Sequence, residues 1–120
     1  MATFKRFEDI LAWQKARQLT KIVYTMSRNV EFSKDYGLKD QIRRSSVSIM
    51  ANIAEGFARR SDKDFAYFLN ISRSSAAEVQ SHLYVAIDQG YIVQDEFDEV
   101  YNLVEESSKM IFALARHLVL

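Results

Sequence analysis

Between Gln41 and Arg59, polar side chains recur at alternating steps of four and three: Gln41, Ser45, Ser48, Asn52, Glu55 and Arg59. On a helix those steps keep side chains on one stripe. Amides, hydroxyls and a carboxylate in a row can form a hydrogen-bonded network, or can offer Glu55 as an acid or base. Apolar ground lies on both sides of the stripe. Leu38, Ile42, Ile49, Ile53 and Phe57 line one flank, and Val47, Met50, Ala51 and Ala54 the other. A polar stripe so flanked is expected against another helix, within the chain or between chains, rather than in open water. Glu78 stands in similar company, beside Tyr67, Ile71, Ser74 and Val85. Gln41, Ser45, Ser48, Asn52, Glu55 and Glu78 are thus a candidate network, with Glu55 and Glu78 expected to look inward. Buried polar groups must be paired, and such networks fix helix register. The network outweighs a catalytic acid pair, because nothing else that catalysis needs accompanies these carboxylates.

Other chemistries find fewer residues. There is no cysteine, and His82 and His117 lie far in sequence from the Ser45–Ser48 stretch, so no nucleophile has an evident base. Di-iron sites in helix bundles use Glu-x-x-His pairs, and none occurs; Glu78 and His82 are four apart. His82 reads most simply as a helix-surface or interface residue. No glycine-rich phosphate loop is present. The expectation is no enzyme, no metal, no cofactor and no small-molecule substrate.

Charge is the more informative property. Residues 1–60 carry twelve Lys/Arg against six Asp/Glu, and residues 61–120 four against ten, although the whole chain is neutral. Such asymmetry marks either a nucleic-acid face or complementary surfaces within or between subunits. For a nucleic-acid face, the candidate phosphate contacts are Lys5, Arg6, Lys15, Arg17, Lys21, Arg43, Arg44, Arg59 and Arg60. Arg59 and Arg60 also suit a helix C-terminus, where cations complement the dipole. No RNA-recognition motif or exposed aromatic platform is evident.

These residues need elements to position them. At 120 residues the chain reads as one domain, 1–120, and it has no proline and three glycines, which favours a few long helices. Periodicity predicts helices over about 8–27, 35–58, 62–89 and 95–118. The first has a polar stripe of Gln14, Arg17, Gln18, Lys21 and Thr25 and is apolar almost everywhere else, so it should touch more than one neighbour. Asn29 should end it, with 29–34 a loop. Ser61-Asp62-Lys63-Asp64 reads as a capping box for the third helix, and Gly90 as its C-terminal stop. The third helix turns Phe65, Phe68, Leu69, Ser72, Ala76, Val79, Leu83, Ala86 and Ile87 inward. The fourth turns inward Phe97, Val100, Tyr101, Val104, Ile111, Leu114 and Leu118. The apolar end Leu118-Val119-Leu120 should pack on something. Short connections make consecutive helices antiparallel, giving an all-α, up-down-up-down four-helix bundle. No run approaches the roughly 20 apolar residues of a membrane span. The opening MATFKRFEDI lacks a signal-peptide core, so a cytoplasmic location is expected.

The run from Gln41 to Gly56, QIRRSSVSIMANIAEG, resembles the signature of the bundle proteins encoded in intervening sequences of bacterial 23S rRNA genes, a family also counted among ribosomal proteins. FEDILAWQKA, Phe7 to Ala16, is similar to its opening motif, and FLNISRSSAAE, Phe68 to Glu78, to its third-helix motif. Met50 departs from the family's usual proline, and Arg73-Ser74 from its usual Gly-Ser. With Met50, the second helix is expected to be unbroken. The resemblance implies a ring-like homo-oligomer, a pentamer. It also implies kinship with accessory proteins of diversity-generating retroelements, which bind nucleic acid and a reverse transcriptase. The functional expectation is a non-enzymatic, oligomeric, RNA-associated protein. The alternative is a protein–protein assembly or adaptor module without nucleic-acid binding.

Overall fold

The computed structural model describes residues 4–119, the Val119 side chain excepted. A 3-10 turn at Phe7–Asp9 precedes α1 (Leu11–Met26), α2 (Val30–Lys34), α3 (Tyr36–Phe57), α4 (Asp62–Asp88) and α5 (Gln94–Val119). The four long helices correspond to the four predicted from periodicity. No strand occurs among the described residues.

The differences lie at the ends. The first helix starts at Leu11 rather than near residue 8, because Ile10 is extended and breaks it from the 3-10 turn. The expected loop at 29–34 holds α2 instead. Asn29 does not simply end α1; its side chain accepts from the Phe32 N–H at 2.8 Å and so caps α2. Asp35 caps α3 in the same manner, accepting from Leu38 N–H at 3.1 Å. Ser61 caps α4 through Asp64 N–H at 3.1 Å. Gly90 takes φ 74°. The Gly90 N–H then reaches Ile87 O and the Tyr91 N–H reaches Ala86 O, the paired closure of a Schellman turn.

The helices form a square. α1 lies beside α3 and α5, and α4 lies between α3 and α5. Thr20 meets Ser46 while Tyr24 meets Arg43, so α1 and α3 are antiparallel. The other adjacent pairs run antiparallel too. Ile42, Ile49, Ile53, Leu69, Val79, Leu83, Val100 and Ile111 are completely buried between them. Burial of each such side chain contributes about 1.5–3 kcal/mol. α1 touches two long helices and the 3-10 turn, as its wide apolar surface requires. α3 is continuous through Met50. Leu118 is half-buried, whereas the expected packing of Val119 and Leu120 falls outside the described side chains.

Small hydroxyls stitch the helices together. Thr20 Oγ1 donates to Ser46 O across α1–α3, and to Ala16 O in its own helix. Ser72 Oγ donates to Ile49 O at 2.7 Å across α4–α3. Ser107 Oγ donates to Ala12 O at 3.2 Å across α5–α1. Each buried hydroxyl is thereby satisfied at a close helix contact. At Gly56 α3 and α4 approach closely, since a Cβ there would lie 2.8 Å from Phe68 Cβ and 3.2 Å from Phe65 O.

Candidate nucleic-acid interface and polar seam

The seam on α3 is partly enclosed by α4. Ser48 Oγ and Ser75 Oγ lie 2.8 Å apart, and the Asn52 amide donates to Ser48 O at 2.9 Å and Ser48 Oγ at 3.0 Å. Ser45 is buried, and Ser48 and Asn52 are half-buried. The ends of the proposed network behave differently. Gln41, Glu55 and Glu78 are exposed in the single chain, so the expectation that Glu55 and Glu78 look inward is overturned. The reason is geometric. These residues sit at the outer edge of the α3–α4 contact, where no third helix covers them. Glu55 instead takes an ion pair at 3.1 Å from Arg59, two residues past the end of α3. Gln41, Arg44, Ser45 and Ser48 face Glu78 and His82 across an open groove. The seam is therefore a short Ser48–Ser75–Asn52 cluster with an exposed polar margin. Among the described residues no group of acidic, histidine or cysteine side chains could hold a metal ion.

The candidate cations divide into two kinds. Arg43 is committed to the fold. It donates from Nε to Ser27 Oγ at 2.8 Å and from Nη2 to Tyr24 O at 3.4 Å, with its guanidinium 4.5 Å from the Tyr24 ring centre. Lys15 pairs with Glu106 of α5 at 3.2 Å, and Arg44 with Asp40 at 2.9 Å. Arg59 lies over the Phe68 ring as well as on Glu55. Arg17 and Lys21 are exposed on α1 and have no ion-pair partner among the described residues, and the same holds for Lys5 and Arg60. Arg6 is exposed and pairs with Glu8 at 2.6 Å. That contact holds the Glu8 carboxyl below its ordinary range, chiefly through the hydrogen bond from Arg6. It raises the Arg6 guanidinium correspondingly.

The structure brings Arg6, Arg17 and Lys21 to one groove beside Trp13. It sets Arg17, Lys21 and Arg28 along a second groove against Tyr24 and Met50. Arg44, Arg59 and Arg60 are not part of either. Arg28 was missed: it lies in the turn two residues past the end of α1, where helical spacing assigns no face, and the turn carries it beside the stripe. Glu96 and Glu99 of α5 bound this basic face on the far side of Lys21 and Ile22.

An antiparallel helix square with a hydroxyl-and-amide seam on one side and a basic helix face on another defines the class of this molecule. The chain belongs to the 23S rRNA-intervening sequence protein family, whose sequence profile matches residues 8–113. A crystal structure of a protein of unknown function from the S23 ribosomal protein family of Bacteroides thetaiotaomicron is similar. It superposes with a TM-score of 0.81 at 28% identity, over 88% of this chain and 96% of that one. No curated protein matches the chain. No helix among the described residues is long and apolar enough to cross a membrane.

Proposed function

We propose that this chain is a non-enzymatic, homo-oligomeric protein that associates with RNA through the basic face of α1. The observation that carries the reading is the alignment of Arg17 and Lys21 on one exposed stripe, with Arg28 carried beside its end and Arg6 brought beside its start. Lysine and arginine contact phosphates without regard to sequence, and binding falls steeply as salt releases its electrostatic hold. Repetition of the stripe around an oligomer would multiply weak contacts. Five copies is the number that the family resemblance implies, and the cytoplasm the expected location. Self-association would use the outward face of α3, where Val47 and Ala51 are exposed beside the seam.

The test is binding of a structured RNA at about 50 and about 200 mM salt. Lys21→Ala should reduce the salt slope by about one. No binding at the lower salt would remove the proposal. The second reading, an assembly or adaptor module, draws on the same apolar α3 face. Purification from native lysate without nuclease separates the two: nucleic acid accompanies the protein in the first case, a protein partner in the second.

A further inference from the structure

The groove at the start of α1 has a composition that simple phosphate contact does not require. The 3-10 turn folds back so that Arg6 faces Trp13, Gln14, Arg17, Gln18 and Lys21 across an open space of about 600 Å³. Small-ligand sites run from about 300 to 1,000 Å³. Phe7 meets the Trp13 ring edge-on at 5.2 Å and fixes its tilt. The Arg17 guanidinium lies 5.9 Å from the Trp13 ring centre. Gln14 donates Nε2 to Glu8 O at 2.9 Å, which orients its amide and leaves the amide oxygen as an acceptor. Gln18 is exposed and has both an amide donor and an acceptor to offer. Glu8 is the one carboxylate lining the groove, and Arg6 already neutralises it.

Three kinds of group therefore meet here: flat cationic and aromatic surfaces, amides, and a lysine. Unpaired bases stack on aromatic rings and guanidinium planes, and amides match their hydrogen-bonding edges. A base inside a duplex has both faces covered and its pairing edge engaged. We propose that this groove takes an unpaired nucleotide of a single-stranded nucleic acid, with its base against Arg17 and Trp13 and its phosphate at Lys21. The inference rests on the nucleic-acid reading above and adds the form of strand that the site accepts.

Trp13 is the one tryptophan of the chain, so its fluorescence reports on this groove alone. Oligo(rA) and oligo(rU) of ten nucleotides should quench it at low salt, and a duplex of equal phosphate concentration should not. Oligo(dA) forms the second arm; equal quenching assigns the site to either sugar, and stronger quenching by oligo(rA) assigns it to RNA. Arg17→Lys retains the charge and removes the plane. It should weaken single-strand binding on the order of tenfold, the size of one lost stacking contact, and weaken duplex binding by a smaller factor, since the charge that meets phosphate is kept. Arg17 is exposed, and helicity by circular dichroism should match the parent. Single-strand affinity unaltered by Arg17→Lys, or equal quenching by duplex, would overturn the proposal. RNA binding by fluorescence polarisation without any change at Trp13 would overturn it too, while sparing the broader function. Absence of all nucleic-acid binding would remove both.

Discussion

Arg43 illustrates how a charged side chain can serve the fold rather than a ligand. Its guanidinium links α3 to the end of α1 through Ser27, Tyr24 O and the Tyr24 ring. Hydrogen bonds from a charged group and a cation–π contact together are worth about 1–3 kcal/mol. Arg43→Ala should lower stability by that amount in urea unfolding while leaving RNA affinity within about twofold. A large affinity loss without loss of stability would return Arg43 to the binding face. The seam yields a second contrast. Asn52 is half-buried and donates twice to Ser48, whereas Glu55 is exposed beside Arg59. Asn52→Leu should cost about 1 kcal/mol. Glu55→Ala should cost less than about 0.5 kcal/mol, as exposed ion pairs do. Equal melting temperatures for the two variants would contradict this division. The spacing of the seam was legible because helical periodicity assigns stripes. The exposure of Glu55 and Glu78 was not, because apolar flanking residues suggest a cover without saying which molecule supplies it.

Gly56 sets the distance between α3 and α4. A Cβ at this position would press on Phe68 Cβ and on the Phe65 backbone, neither of which is the free end of a flexible chain. Gly56→Ala gains about 1 kcal/mol of helix propensity, yet overpacking typically costs about 1–3 kcal/mol. The net expectation is a lower midpoint in urea; an increase would mean that the helices part easily. At the opposite end of the bundle, Tyr91 secures α2. Its ring stacks on Phe32 at 5.3 Å, its carbonyl accepts from Asn29, and its hydroxyl donates to Asp35 at 3.0 Å. The hydrogen bond to Asp35 is the largest cause that raises the phenol above its ordinary 10.0. Stability from that bond is complete below the ordinary value and is lost as pH rises through the higher folded one. Tyr91→Phe should therefore melt lower than the parent at pH 7, and the gap should close as pH rises beyond about 10. A gap constant with pH would exclude the hydroxyl as its source. α2 itself escaped the sequence reading because five residues span too little of a 3.6-residue period to display one. The long helices repeated theirs many times, and Ser61 and Gly90 marked α4 at both ends through cap chemistry that is local. The fold-back of the 3-10 turn onto α1 depends on Phe7 finding Trp13, a contact between elements that no single periodic stripe contains.

Across the whole molecule, charge follows the helix pairs. The excess of cations lies in the half containing α1 and α3, and the excess of anions in the half containing α4 and α5. Among the described residues, Lys15–Glu106 is the ion pair that joins the two halves; the others fall within the first. Most of the opposing charge thus remains available to solvent, to nucleic acid or to another copy. Two kinds of self-contact have different salt responses. Contact between basic and acidic sides would loosen as the screening length shrinks from about 10 Å at 0.1 M to about 3 Å at 1 M salt. Contact through Val47 and Ala51 would persist, since burial of apolar area does not depend on such screening. Val47 is 41% exposed on α3, and Ala51 one turn on is exposed beside it. We expect light scattering to return a multiple of 13.9 kDa at both salt concentrations. Val47→Lys should reduce it to the single-chain mass with helicity intact, because a buried, unpaired ammonium disfavours the contact by several kcal/mol. A parent mass of one chain at all concentrations would dismiss self-association. An assembly that dissolves in salt but tolerates Val47→Lys would instead assign it to the two charged sides, with the α3 face left open.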